Sequence, residues 1–143
     1  MNLVRMFVNG QGMRGGEFND SLADATFLGE VDTAPRYRFY SVRDEFPGLY
    51  PVDADGVSVP GELYELPYLM LAHRLLPREP RELELGIIEL SSGDGCLSMH
   101  MRQESILRSD TTDISKAGGW RSYLEALSPH SLEQVKATGK GTE

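Results

Sequence analysis

Four glycines fall within the eight positions from Asn9 to Gly16, and so dense a run either bends sharply or lets another group approach its backbone. Asn9 and Gln11 lie in the same run. An amide side chain both donates and accepts, which suits a carboxylate, carbamate or amide ligand, although turn residues of this kind need no ligand at all. Residues Asn9, Gly10, Gln11, Gly12 and Met13 are therefore the first candidate binding element, with backbone N–H groups facing a carbonyl or anionic group. A second candidate is His100, in the stretch Leu97-Ser98-Met99-His100-Met101-Arg102. Its titration near neutrality suits a proton shuttle, and Glu104 follows closely enough to orient it if both turn inward. The competing placement for His100 is the outer face of a strand. Serine, histidine and aspartate all occur, but no nucleophile-elbow spacing joins them into a hydrolase triad. Cys96, the only cysteine, reads as a small buried hydrophobe and excludes an intrachain disulfide. His73, His100 and His130 are scattered and no Cys-x-x-Cys occurs, so neither a metal centre nor a cofactor is expected.

Gly10-x-Gly12-x-x-Gly15 after an apolar strand, with Asp32 downstream, matches a dinucleotide-binding fingerprint taken literally. That fold turns its glycines directly into a helix long enough to recross a sheet. Here Gly15-Gly16 breaks the first turn, the helical stretch behind it is short, and no repeating βαβ units follow. Nucleotide binding is not expected.

The elements that must position these residues are mostly strands. Leu3 to Val8 is apolar and stops at Asn9-Gly10, as a buried strand entering a turn would. Asn19-Asp20-Ser21 can cap a short helix through Ala25. Strand-like stretches follow at Thr26 to Thr33 and Tyr37 to Val42. Pro47 to Val52 reads as an edge strand or loop because two prolines remove ladder donors. Asp53-Ala54-Asp55-Gly56 signals a turn, and Val57 to Leu66 alternates as a strand does. Pro67 opens a helix that stops at Pro77. Leu83 to Leu90 and Cys96 to Met101 bracket a second turn, and Asp113-Ile114-Ser115 caps a helix around Trp120 to Leu127, where Trp120 and Tyr123 lie three apart. The expected fold is α+β and mainly β, a small closed barrel of about six strands with short flanking helices. Residues 1–127 form this domain and 128–143 a polar tail.

Fourteen basic against 22 acidic residues leave a net charge of −8. That excludes a duplex-binding face, which needs clustered cations, and disfavours an anionic membrane surface. The first strand is too short and interrupted for a signal peptide or a membrane span, so a cytoplasmic protein is expected.

Three segments resemble the γ-glutamylcyclotransferase-like group: Phe7-Val8-Asn9-Gly10-Gln11-Gly12-Met13, Thr33-Ala34-Pro35-Arg36-Tyr37-Arg38-Phe39-Tyr40, and Gly61-Glu62-Leu63-Tyr64-Glu65-Leu66. Later segments resemble the C-terminal domain of allophanate hydrolases, through Leu85-Gly86-Ile87-Ile88-Glu89-Leu90, Asp113-Ile114-Ser115 and Gly118-Gly119-Trp120-Arg121-Ser122-Tyr123-Leu124. The resemblance implies a pocket beside the glycine loop and a glutamate, placed after the Gly-Glu-Leu-Tyr strand and its helix, that moves a proton between a substrate amine and a departing amide nitrogen. Glu79, Glu82 and Glu84 fall near that place, with Glu82 the first choice and Glu79 next; a solvated loop around Arg78 to Glu82 is the competing reading. The chain departs from the pattern where Asn9 replaces the cyclotransferase loop tyrosine and Gly12 stands where the allophanate hydrolase version implies a histidine. Two functions are therefore carried forward. One is a metal-free acid/base enzyme, transferase or lyase in kind, acting on an amide, carbamate or γ-glutamyl-type small molecule. The other is a non-catalytic accessory or oligomerisation module, acting alone, as a homodimer or with an amidase-type partner in trans.

Overall fold

The computed structural model describes residues 2–127, so the expected polar tail lies outside the described residues. Eight strands form one sheet: β1 (Leu3–Val8), β2 (Thr26–Asp32), β3 (Tyr37–Val42), β4 (Phe46–Pro51), β5 (Pro60–Pro67), β6 (Leu83–Glu89), β7 (Gly95–Met101) and β8 (Thr111–Asp113). Their order is β2-β5-β1-β7-β4-β3-β8, with β6 pairing along β7. The sheet curls into a half-barrel rather than the closed barrel expected. Two strands exceed the expected count. β8 has three residues, too few to show alternation in the sequence, and β4 was expected at an edge but lies inside the sheet. Its prolines are tolerated there because β7 meets β4 only at Leu49–His100, away from both of them.

Alternation along the strands feeds two apolar layers. Phe7, Phe39, Leu49, Leu63, Ile88, Cys96 and Trp120 pack together inside the curl. Met6, Leu22, Tyr64, Leu66, Leu71 and Leu75 pack on the opposite side, beneath a helical segment at 68–78. That segment begins as α1 (Tyr68–Met70), widens to a π-type turn at Leu71–Leu75 and tightens to a 3₁₀ turn at Leu76–Arg78. Leu71 and Leu75, four apart, supply its buried face. Pro77 sits within the last turn rather than ending the segment, since a first-turn position needs no N–H donor. Asn19–Leu22 forms one 3₁₀ turn, so the glycines do not lead into a crossing helix. Two further helices are α2 (Gln103–Ile106) and α3 (Trp120–Leu127).

Candidate active site

Strand β7 changes partner along one edge. It runs parallel to β1 at Met6–Leu97 and Phe7–Ser98, and then meets β4 at Leu49–His100. Where β1 and β4 part, a cavity of about 390 Å³ opens. Its wall combines the end of β1, the glycine loop Asn9–Gly12, the start of β4 at Phe46 and Pro47, and the exit of the helical segment at Leu75, Arg78 and Glu79. Volumes of this size are typical of small-molecule sites.

Close contacts fix the loop. A side chain at Gly10 would collide with the Pro47 ring, and one at Gly16 with the Gln11 carbonyl. The Asn19 amide donates to the Gly12 carbonyl at 2.8 Å. Gln11 uses both ends of its amide within the protein, donating to the Glu45 carbonyl at 3.2 Å and accepting from the Glu17 N–H at 3.2 Å. It therefore holds the loop against the β3–β4 turn. Asn9 differs: it is 8% exposed and its side-chain nitrogen has no hydrogen-bond partner. Of the five expected binding residues, Asn9, Gly10, Gln11 and Gly12 line the cavity, while Met13 packs into the core and borders a separate cleft with Gly61 and Trp120.

The acidic candidates separate clearly. Glu79 follows the 3₁₀ turn in extended conformation, its residue lines the cavity, and its carboxyl has no hydrogen-bond or ion-pair partner among the described residues. Burial alone pushes it up to about 7. Glu82 lies off the cavity wall and accepts from Arg43 at 2.9 Å. Burial would raise its pKa, but the Arg43 hydrogen bond and the neighbouring positive charges hold it below the usual carboxylate range. His100 is also off the wall: its ring lies against Gly86 and edge-on to Tyr50 at 6.5 Å, with Nδ1 3.0 Å from the Met101 carbonyl. The Cys96 thiol is buried and pushed up to about 11, so it stays protonated.

Sequence reasoning missed the two arginines of the wall. Arg43 contacts Glu45, Glu82 and Asp110. Arg78 contacts Asp20 and Ser21 and lies 4.4 Å over the Phe18 ring. Apart from Glu45, two residues from Arg43, their partners come from distant parts of the chain, so their place on the wall had no local signal. Among the described residues no three histidine, cysteine or acidic side chains gather as metal ligands would, and no helix is long and apolar enough to cross a membrane.

The curled, mostly β sheet with few short helices has a γ-glutamylcyclotransferase-like fold, shared with an AIG2-like protein of Mus musculus at 20% identity and a TM-score of 0.59. Residues 4–125 match the allophanate hydrolase C-terminal domain, and the chain belongs to that family. It is 31% identical to a uropathogenic E. coli-specific protein, covering 87% of this chain and 98% of that one with a TM-score of 0.81. Against allophanate hydrolase of Kluyveromyces lactis it is 28% identical with a TM-score of 0.83, covering 90% of this chain but 22% of that one. It is 27% identical to urea amidolyase of Saccharomyces cerevisiae over 118 residues, 79% of this chain and 6% of that relative. The chain thus spans a small fraction of the curated relatives it matches.

Proposed function

We propose that the chain is a small-molecule enzyme in which Glu79 serves as general acid/base on an amide, carbamate or γ-glutamyl-type substrate. The observation that carries this reading is the unpaired Glu79 carboxyl on the wall of a cavity shared with the glycine loop. A group that titrates near 7 populates both forms at neutral pH, so it can take a proton from an attacking nitrogen or water and return it to the departing nitrogen. The carbonyl oxygen would sit against the loop, where the free Asn9 N–H and the backbone of Gly10 to Gly12 offer donors. Gly12 removes the histidine implied by the allophanate hydrolase resemblance, which leaves Glu79 as the wall's half-buried titratable group without a partner; Glu17 is exposed.

The test is a thermal-shift screen with γ-glutamyl amines, 5-oxoproline, allophanate and simple carbamates, followed by turnover assays. One class should stabilise the protein and be turned over. Glu79→Gln should keep binding while turnover falls about 100- to 10,000-fold, the range a positioned acid/base supplies. Unchanged turnover in that variant would remove Glu79 from the mechanism.

A second reading, an accessory module for an amidase-type partner, is favoured by one feature. Ile87 on β6 is 78% exposed and neighbours the exposed Leu85, an apolar strip on a strand paired through only one edge for most of its length. No stabilisation by any compound, together with co-elution with an amidase-type partner, would favour this reading.

A further inference from the structure

Helix α3 contributes nothing to the cavity wall, yet it is tied to the segment that continues the glycine loop and to the β3–β4 turn, both of which reach that wall. At its start, Arg121 donates to the Arg14 carbonyl at 2.7 Å and to the Glu62 carboxylate at 2.9 Å. The same carboxylate accepts from the Arg14 N–H at 2.8 Å, and Arg14 continues directly from the loop that lines the cavity. Two residues on, the Tyr123 hydroxyl donates to Asp44 in the β3–β4 turn. Trp120, 2% exposed, roots the helix in the core and stacks on Tyr123 with centroids 5.7 Å apart.

The turn at Tyr123's end is strained. Arg43 and Asp44 both have positive φ, 55° and 59°, and neither is glycine. Such a conformation persists only where its surroundings hold it. Here Ser41 and Tyr123 bind the Asp44 carboxylate, while Glu82 and Asp110 bind Arg43. This turn delivers Arg43, Glu45, Phe46 and Pro47 to the wall and meets the loop through Gln11–Glu45 and Gly10–Pro47.

We infer that α3 is a brace that sets the width of the cavity mouth, with Arg121 and Tyr123 as positioning residues acting through the glycine loop and the β3–β4 turn. The inference rests on the acid/base reading of the cavity, because that reading is what gives the mouth's width a consequence. A tight mouth keeps water from Glu79; a loosened one rehydrates it.

The readout is the titration of the Glu79 carboxyl, followed by carbon NMR in the intact protein. Tyr123→Phe removes one hydroxyl and none of the charges on the wall, which are Glu17, Arg43, Glu45, Glu79 and Arg78. The Glu79 midpoint should fall from about 7 toward the ordinary 4.5. Amide exchange should quicken at residues 9–13 and 43–47 and stay unchanged in β2 and β5. Arg121→Lys should shift the midpoint in the same direction. Tyr37→Phe is the control, since its hydroxyl accepts from the Glu89 N–H away from the cavity, and it should leave Glu79 unmoved. A wild-type midpoint near 7 that neither α3 variant moves overturns the brace. So does an equal shift in Tyr37→Phe. A wild-type midpoint already at the ordinary value overturns instead the acid/base reading beneath it.

Discussion

Glu62 and Glu79 are the same residue type, both drawn away from water, and they end in opposite states. Glu62 is 0% exposed and accepts from the Arg14 backbone and guanidinium, the Arg121 guanidinium and the Tyr64 hydroxyl. Burial would raise its pKa, yet those donors hold it below the usual carboxylate range. Glu79 is more accessible, has no donor, and is pushed up to about 7 by burial alone. Depth therefore does not separate the structural carboxyl from the candidate catalytic one. The number of donors does: Glu62 has all of its bonding capacity used by the fold, whereas Glu79 keeps its capacity for a ligand.

The strongest way to break this comparison is to remove Glu62. Glu62→Ala should lower the unfolding free energy by about 3 kcal/mol, read from urea denaturation, at the low end for a broken buried ion cluster. The remaining arginines have side chains 51% exposed, so water can rehydrate them and the loss falls mainly on the hydrogen bonds and the void. A loss below about 1 kcal/mol would mean that the cluster is not what fixes loop and helix.

A pH series sharpens the contrast. Glu79 has a folded pKa of about 7 against an ordinary 4.5, so between these values the folded protein binds a proton that the unfolded chain has released. Stability from this group is full below pH 4.5 and is lost as pH rises through 7. Wild type should lose about 2 kcal/mol relative to Glu79→Gln across this window, less than the full linkage value because the group is partly exposed. Glu62 works in the opposite sense: its lowered pKa supplies stability above the unfolded value, which is lost as pH falls. Parallel curves for wild type and Glu79→Gln would show that Glu79 is ordinarily solvated.

Much of this was legible before folding was considered. The glycine loop, the strand before it and the alternating strand holding Glu62 follow from turn chemistry and period, and the structure sets Asn9 to Gly12 on one wall. Pairings across the chain were not legible. Glu79 and Glu82 are three residues apart, and which one faces the cavity depends on how a 3₁₀ turn ends and on Arg43 arriving from a turn 39 residues away. Gln11 looked as available to a ligand as Asn9, but only the fold reveals that Glu17 and Glu45 occupy its amide. β8 was invisible because three residues carry no period.

The smallest expected effect tests Glu82 itself, the glutamate that the family resemblance favoured. Arg43 is shared among Glu45, Glu82 and Asp110, so Glu82→Gln leaves two carboxylates on it and retains an amide oxygen as acceptor. Stability should fall by about 1 kcal/mol or less. Turnover should change by about twofold at most, far below the factor expected of a positioned acid/base. The two glutamine variants together decide the assignment, because each keeps the shape of its side chain while removing its charge and its ability to titrate. If Glu82→Gln abolished turnover while Glu79→Gln did not, the proton would move through the ion-paired carboxylate. Free bonding capacity would then be the wrong guide to chemistry in this cavity.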